Sequence, residues 1–176
     1  TKVVRNILKE LGATVQETPK KIVSLISKLK EDGVSPEDYE KTVPSFLENY
    51  KVIIETYKKY KIELKKNNAM DFSDLLIFTN ELLDNPEILE KVQDRYRYVM
   101  VDEYQDTNNI QYQIIKKIAK KHLNICVVGD EDQSIYGFRG ANIQNILDFE
   151  KDYPNAKVVK LEQNYRSTDI ILKAAN

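Results

Sequence analysis

Apolar residues in the first third of the chain recur every three or four positions, as on one face of an α-helix. Thr18-Pro19 and Ser35-Pro36 each place a capping side chain before a first-turn proline, which predicts that two helices begin there. The apolar spacing also predicts one long helix from Pro44 to about residue 66. We therefore expect residues 1–68 to form an all-helical subdomain.

Beyond residue 68, helical patterns, including those at 71–83 and 86–93, alternate with three short apolar runs. The runs are YRYVMVD (96–102), NICVVGD (124–130) and AKVVKLE (156–162). Each is continuous and rich in β-branched residues, which is typical of a strand buried on both faces. Strands that alternate with helices form parallel sheets through right-handed crossovers. The sequence therefore predicts an α/β fold over residues 69–176, with a parallel sheet of about three strands flanked by helices.

Composition excludes several classes of protein. With 41% hydrophobic and 31% charged residues, the 176-residue chain can build a core and is too apolar to be disordered. Its single cysteine, Cys126, lies in an apolar run, where we expect a buried core residue. One cysteine cannot form an intrachain disulfide, which favours a reducing compartment such as the cytoplasm. No apolar run approaches the roughly 20 residues needed to span a bilayer, so no membrane association is expected.

Charge is distributed unevenly along the chain. Residues 1–70 carry 14 Lys and Arg against 10 Asp and Glu, whereas residues 71–176 carry 13 against 18. This asymmetry suits a phosphate-facing surface next to a metal site, although a solvated helical face explains the basic half equally well. The lysine-rich stretch KKYKIELKK (58–66) is open to the same two interpretations, nucleic-acid binding and a solvated helix face.

Each predicted strand ends in a polar cluster, at residues 102–106, 130–133 and 162–166. Ligands of open parallel sheets bind beyond the carboxyl ends of the strands, so we expect the clusters to share one active site. The first cluster fits a Walker B element, in which Asp102 holds Mg²⁺ and Glu103 polarises a water molecule. The alternative is a strand end with capping acids, because short apolar runs that end in Asp-Glu are common.

The longer motifs carry a resemblance to a known family. DEYQDTN (102–108), GDEDQSIYGFRGA (129–141) and LEQNYRS (161–167), in this order, resemble motifs II, III and IV of superfamily I DNA helicases of the UvrD/Rep/PcrA type. AMDFSDLL (69–76) resembles the segment upstream of motif II in that subgroup. The resemblance implies that residues 69–176 are part of the RecA-like motor domain 1A. Residues 1–68 match more loosely, where the family inserts its helical 1B subdomain.

The resemblance implies a role for each matched residue of the nucleotide site. Asp102 would hold Mg²⁺, and Glu103 would be the general base for the water that attacks the γ-phosphate of ATP. Gln133 would sense that phosphate and couple it to DNA, because an amide can both donate and accept hydrogen bonds. Tyr165 would stack on adenine, and Arg166 would reach the γ-phosphate as an arginine finger.

Two further groups of residues complete the implied site. Gln105 and Asp106 would tie the first strand end to its neighbours, with Gln105 also part of the nucleotide site. Tyr136 and Phe138 would face single-stranded DNA, and Arg139 would lie at the junction with the acidic site or a DNA phosphate. Phe138 stands where many members carry tryptophan, so we expect a weaker contact of the same kind. Alternatively, Tyr136 and Phe138 pack against the following helix.

The sequence contains no phosphate-binding P-loop. None of its five glycines is followed by lysine, whereas the P-loop pattern requires Gly-Lys. The resemblance implies an ATP- and Mg²⁺-dependent 3′-to-5′ DNA helicase, and because the P-loop is missing we expect a fragment of one that is inactive alone. Its partners would be single-stranded and duplex DNA and the rest of the helicase chain, including the P-loop half of domain 1A and domains 2A and 2B.

Two other functions stay open on the residues alone. One is a stand-alone metal-dependent phosphohydrolase or nuclease, which would need further His or Asp ligands near the strand ends. The single histidine, His122, lies among lysines and is expected at the surface. The other is a non-catalytic DNA-binding module built on the basic first half.

Overall fold

The computed structural model describes residues 1–13, 18–43, 49–137 and 140–175. These residues fall into two compact units, Thr1–Ile146 and Leu147–Asn176. The predicted boundary between residues 68 and 69 lies inside the first unit, so the division into a helical and a motor subdomain stays a prediction.

Four helices form the N-terminal part of the first unit: α1 (Lys2–Glu10), α2 (Pro19–Glu31), α3 (Pro36–Thr42) and α4 (Tyr50–Lys66). Thr18 Oγ1 accepts a hydrogen bond from Lys21 N at 3.4 Å, and Ser35 Oγ accepts one from Asp38 N at 3.0 Å. The two predicted helix starts are therefore confirmed. The predicted start of the long helix at Pro44 lies outside the described residues.

The main apolar core lies between α1, α2 and α4. It is lined by side chains that are at most 8% exposed: Val4, Ile7, Leu8, Ile22, Ile26, Leu29, Tyr57 and Tyr60. These residues follow the helical spacing of the sequence, which places one apolar stripe on each helix. The three helices bury their stripes against one another and so share a single core.

Three longer helices and a small sheet complete the first unit: α5 (Phe72–Leu82), α6 (Pro86–Arg95), β1 (Val99–Val101), α7 (Asn109–Ala119) and β2 (Ile125–Val127). The strands pair in parallel, with Val99 opposite Ile125 and Val101 opposite Val127. Helix α7 connects them, as predicted for a strand–helix–strand unit. The fold is thus helix-rich α/β with a two-stranded parallel sheet.

The sheet differs from the prediction in three respects. The run 156–162 forms no strand. A strand requires a hydrogen-bonded partner, which an apolar pattern alone does not supply. Each observed strand is also only three residues long. Finally, Cys126 is exposed and not buried, because it pairs with Met100 on a sheet face that no described residue covers, and Met100 is 80% exposed.

The described remainder of the chain is largely irregular and includes three short helices: α8 (Gln144–Leu147), α9 (Phe149–Asp152) and α10 (Asp169–Ala175). In the second unit, the rings of Phe149 and Tyr153 pack with their centroids 4.9 Å apart. None of the helices in the described residues is long and apolar enough to cross a lipid bilayer.

Candidate functional site at the strand ends

The chain turns sharply directly after β1. Asp102 and Glu103 are both exposed, and Glu103 N donates a hydrogen bond to Asp102 Oδ1 at 2.9 Å. Glu103 has φ 50° and ψ 46°, in the left-handed region that residues other than glycine rarely adopt. The left-handed residue allows a 3-10 turn, Tyr104–Asp106, to follow at once. Both carboxylates therefore remain at the tip of the strand, in a loop that we call the strand-end loop (residues 102–108).

Gln105 joins the strand-end loop to the second polar cluster. Its side chain is 1% exposed, its Nε2 donates to Glu103 Oε2 at 2.7 Å, and its Oε1 accepts from Asp130 N at 3.1 Å. Gly129 lies against this amide, since a Cβ at that position would be 2.6 Å from Gln105 Oε1. The absence of a side chain at Gly129 thus allows the Gln105 amide to reach the end of β2.

The second cluster folds into a turn that is stabilised by its own first residue. Asp130 Oδ1 accepts from Asp132 N at 3.0 Å, and Asp130 Oδ2 accepts from Gln133 Nε2 at 2.6 Å. The Gln133 side chain is exposed and held beside the end of β2. The structure thus brings together five of the predicted residues at one sheet edge: Asp102, Glu103, Gln105, Asp106 and Gln133.

A cavity of about 360 Å³ opens between α5, β1 and α7 at this edge. Its apolar wall includes Leu76, Val101, Ile114 and Ile115, and its polar wall includes Asp102, Glu103 and Asp106. Asp106 Oδ1 is buried and has no hydrogen-bond partner among the described residues. Such an atom is costly to bury without a partner, so the cavity presents carboxylate oxygens that a cation or a donor group would satisfy.

The donor set fits Mg²⁺ in kind. Mg²⁺ prefers oxygen ligands and is held by one or two carboxylates together with substrate phosphates and water. Asp102 and Glu103 provide exposed carboxylates at the rim of the cavity. Within the described ranges, no cluster of three or more His, Cys, Asp or Glu side chains forms a complete protein cage for a metal. The geometry therefore suits a cation that shares its coordination with a phosphate.

Sequence analysis missed a buried polar contact below the strand-end loop. Asn145, 5% exposed, donates through Nδ2 to Thr107 O at 3.0 Å and to Thr107 Oγ1 at 3.1 Å. Asn142 N also donates to Thr107 O, at 2.9 Å. These bonds hold the loop against the segment that follows the second cluster. No local pattern predicts them, because they span more than 30 residues.

A second missed feature is a buried ion cluster at the start of α5. Lys30 Nζ lies 2.8 Å from Asp71 Oδ2 and 2.5 Å from Asp74 Oδ1, and only 7% of the Lys30 side chain is exposed. Asp71 and Asp74 also form a reciprocal capping box. Tyr60 donates from its hydroxyl to Asp71 Oδ2 at 3.1 Å. The DFSD stretch (71–74), noted for its resemblance, thus anchors α5 to α2 and α4.

Electrostatics within this cluster follow from burial and charge. Burial alone would raise the pKa of Asp71, but the hydrogen bonds from Lys30 and from Asp74 N outweigh it and leave that pKa lowered. Burial, together with the charges of Asp74 and Asp71, raises the pKa of Tyr57 to about 12. Burial and the neighbouring Asp71 raise the pKa of Tyr60 as well. Both phenols therefore stay protonated and act as hydrogen-bond donors at neutral pH.

The remaining predicted site residues follow the second cluster, belong to the second unit or lie outside the described residues. Tyr136 follows the second cluster and is 37% exposed, whereas Phe138 and Arg139 lie outside the described residues. Tyr165, 92% exposed, and Arg166 belong to the second unit. There, Asn164 Oδ1 accepts from the backbone N–H groups of Arg166 and Ser167, both at 2.9 Å.

Several lysines of the 58–66 stretch pair with carboxylates. Lys58 contacts Glu40 at 3.0 Å, Lys59 contacts Glu10 at 3.5 Å, and Lys66 lies 3.8 Å from Glu63. These partially exposed pairs neutralise part of the positive charge that a DNA backbone would need. The geometry therefore favours the solvated helix face over a nucleic-acid surface for this stretch.

Comparison with known proteins gives these features a family. The model of the UvrD/REP helicase N-terminal domain matches residues 1–154, most of the chain. The chain belongs to the UvrD/REP helicase family. The ATP-dependent DNA helicase PcrA of Bacillus subtilis (strain 168) is 48% identical over 176 residues, which are 99% of this chain and 24% of that protein. Proteins of the same name from Leuconostoc citreum and Staphylococcus aureus are each 46% identical over 98–99% of this chain.

The family match includes both parts of the sheet edge. The strand-end loop and the Asp130 turn lie inside the region that matches the UvrD/REP helicase domain, and the alignment with the B. subtilis relative also covers Tyr165 and Arg166. The chain spans about a quarter of the length of the curated relatives that it matches. Family membership thus applies to this segment, and the activity of a whole protein is a separate question.

Proposed function

We propose that this chain is a segment of an ATP-dependent 3′-to-5′ DNA helicase, in which ATP hydrolysis drives movement along single-stranded DNA. The observation that carries the proposal is the Gln105 bridge. One buried amide links the Glu103 carboxylate to the backbone of Asp130, in the motif that would contact both nucleotide and DNA. Family membership and relatives named ATP-dependent DNA helicase give independent support.

In this proposal the two exposed carboxylates of the strand-end loop have different roles in ATP hydrolysis. Asp102 is the residue that would hold Mg²⁺, and bound Mg²⁺ would neutralise charge on the phosphates of ATP. Glu103 accepts a proton from the attacking water, and the 2.7 Å hydrogen bond from Gln105 fixes the orientation of its carboxylate. Gln105 is thus part of the nucleotide site through Glu103, and Asp106 supplies a half-buried carboxylate at the same cavity.

The other predicted residues bind the nucleotide and the DNA strand. Gln133 senses the γ-phosphate, Tyr165 stacks on adenine, and Arg166 stabilises charge on the transferred phosphoryl group. Tyr136, Phe138 and Arg139 contact single-stranded DNA, where aromatic rings stack on bases regardless of sequence. Support for these roles comes from the position of each residue in the resembling motifs.

We further propose that residues 1–68 are a 1B-like subdomain and residues 69–176 part of a RecA-like domain 1A, in a cytoplasmic protein. The remaining helicase chain is the expected partner, because the sequence has no P-loop to bind the triphosphate. Exposed apolar residues on the sheet face and on α5, such as Met100 and Phe72, suit packing by further segments of the protein.

A stand-alone metal-dependent phosphohydrolase or nuclease would need more ligands at the strand ends than the described residues bring together. His122, the candidate extra ligand, is partially buried, and its buried Nε2 has no partner among the described residues. Nothing in the described geometry favours this second function over the helicase.

The test compares ATP hydrolysis by two proteins, with and without single-stranded DNA. One is this chain alone, and the other is the full-length protein that carries it together with a P-loop. We expect DNA-stimulated hydrolysis only in the full-length protein. Robust hydrolysis by the chain alone would contradict its proposed dependence on the P-loop, and no stimulation in the full-length protein would contradict the helicase assignment.

A further inference from the structure

Thr107 closes the 3-10 turn that follows Glu103 in the strand-end loop. Its hydroxyl donates to Tyr104 O at 2.7 Å, and its backbone N–H donates to the same oxygen at 3.2 Å. Both residues are buried, and hydrogen bonds away from water are stronger than those in contact with it. The turn between them carries Gln105, whose amide orients the Glu103 carboxylate. The orientation of that carboxylate therefore depends on how firmly Thr107 is held.

Two asparagines from the segment after the second cluster hold Thr107. Asn142 N donates to Thr107 O at 2.9 Å. Asn145 Nδ2 donates to the same carbonyl oxygen at 3.0 Å and to Thr107 Oγ1 at 3.1 Å. A carbonyl oxygen has two lone pairs, and a hydroxyl can donate one hydrogen bond while it accepts another. These bonds therefore satisfy the backbone oxygen and the hydroxyl of Thr107 completely.

Asn145 has to present the nitrogen of its side-chain amide to Thr107. The backbone oxygen of Thr107 can only accept, and its hydroxyl already donates its one proton to Tyr104 O. An aspartate at position 145 would be nearly the same size, but when ionised it would offer only acceptors to these two oxygens. The contact thus requires a donor at a position that is 5% exposed and 38 residues away from Thr107 in the sequence.

We propose that Asn145 is a positioning residue for the Glu103 carboxylate. It acts through Thr107, whose bonds close the turn that carries Gln105. The turn is held at its start by Tyr104 N, which donates to the backbone just after β2 at 3.0 Å, and at its end by Asn145. Without the second anchor the Gln105 amide no longer holds the carboxylate in one orientation, and a displacement of about 1 Å at a reacting group can lower turnover about 100-fold. This inference rests on the proposed helicase function, because only there is Glu103 the general base.

Steady-state ATP hydrolysis by the full-length protein with single-stranded DNA tests the proposal. Asn145→Asp replaces the two donated bonds by repulsion between acceptors and should lower kcat about tenfold, with the KM for ATP within about twofold of wild type. Asn145→Leu removes the donor without adding charge and should lower kcat about threefold. If the aspartate variant does not fold, the leucine variant provides the same comparison.

The matched control is Asn85→Asp, the same substitution at a residue that uses its oxygen instead of its nitrogen. Asn85 Oδ1 accepts from Glu87 N at 3.0 Å and from Ile88 N at 3.3 Å. Aspartate keeps both bonds and is equally good as a helix N-cap. The control should therefore retain the wild-type kcat and KM, which separates the loss of a donor at position 145 from the gain of a negative charge.

Hydrogen exchange separates positioning of the turn from general stability. The amides of Asp106 and Asp130 report on the turn and on the Gln105 bridge, because each donates a hydrogen bond within one of them. Both amides should exchange faster in the Asn145 variants. Ile22→Val, in the apolar core between α1, α2 and α4, removes a buried methyl group and should leave both amides and kcat unchanged.

Unchanged kcat in the Asn145 variants, or unchanged exchange at the two amides, would overturn the inference. An equal loss of kcat and of amide protection in Ile22→Val would also overturn it, because general destabilisation would then explain the result. If the wild-type protein shows no DNA-stimulated ATP hydrolysis, the proposed function fails instead, and the exchange data still decide whether Asn145 positions the turn.

Discussion

Gln105 Nε2 donates a hydrogen bond to Glu103 Oε2 over 2.7 Å, from a side chain that is 1% exposed. A buried donor orients an exposed carboxylate, and the same amide binds the backbone of Asp130 through its oxygen. The proposed catalytic base is therefore oriented from inside the protein, and its geometry depends on how well the neighbouring loop is formed.

Replacement of Gln105 by methionine should destabilise the chain. Gln105→Met keeps the length of the side chain but leaves Asp130 N–H without its acceptor, which should lower the free energy of unfolding by about 1–3 kcal/mol. Urea unfolding followed by circular dichroism measures the change. The matched control is Gln144→Met, since Gln144 is exposed and should shift the free energy by less than about 0.5 kcal/mol. Equal effects at both positions would show that the Gln105 bridge has no special role.

Gly129 and Gly137 form a second matched pair. A Cβ at Gly129 would lie 2.6 Å from Gln105 Oε1 and 2.8 Å from Ile146 Cδ1, whereas a Cβ at Gly137 would meet nothing within 4 Å. Gly129→Ala should cost about 1–3 kcal/mol of unfolding free energy through overpacking, and Gly137→Ala should be neutral or slightly stabilising. Thermal unfolding of the two variants provides the comparison, and a Gly129→Ala protein as stable as wild type would rule out the close packing.

The Lys30 cluster should control stability in acid. Lys30→Met leaves two carboxylates without their cation and should lower the free energy of unfolding at pH 7 by about 3 kcal/mol. In wild type the lowered pKa of Asp71 gives stability that is present above the ordinary carboxyl pKa of about 3.9 and is lost as pH falls through the lowered value. The fall in stability below about pH 4 should therefore be shallower in the variant.

Urea unfolding between pH 2.5 and pH 7 measures this dependence. Lys66→Met is the control, because 74% of the Lys66 side chain is exposed and its pair with Glu63 contributes little. An acid dependence that is the same in Lys30→Met and wild type would exclude Asp71 as its source.

The energetic cost of the left-handed backbone at Glu103 can be measured by comparing the stabilities of glycine and alanine variants at this position. Glu103→Gly and Glu103→Ala both remove the carboxylate, but alanine retains the cost of a positive φ, so the glycine variant should be more stable by about 1 kcal/mol. At Glu131, where φ is not positive, the alanine variant should instead be more stable than the glycine variant, by about 0.5–1 kcal/mol. If alanine is the more stable residue at position 103 as well, the turn does not have the described conformation.

The sequence predicted the features that depend on neighbouring residues. The Thr18-Pro19 and Ser35-Pro36 signals mark real helix starts, because a cap acts on N–H groups two or three residues away. The motif resemblance likewise found the correct family, since it rests on contiguous residues at fixed spacing. The positions of Asp102 and Glu103 after a strand follow from the same local pattern.

Features that depend on distant partners could not be predicted in this way. The run 156–162 has a strand-like composition, yet it forms no strand. The Lys30–Asp71 and Asn145–Thr107 contacts join residues 41 and 38 positions apart, and no local pattern indicates which polar residues will meet. Cys126 is exposed although it lies in an apolar run. Whether its face of the sheet is covered depends on tertiary packing, which the run itself does not determine.

Replacement of the proposed general base tests the central claim most directly. In the full-length protein, Glu103→Gln keeps the size of the side chain but cannot accept a proton, so turnover of ATP with single-stranded DNA should fall at least about 100-fold. The Kd of a fluorescent ATP analogue should stay within about twofold of wild type, and Glu131→Gln should retain turnover. Turnover retained in Glu103→Gln would contradict the assignment of Glu103 as the base and with it the proposed role of the Gln105 bridge.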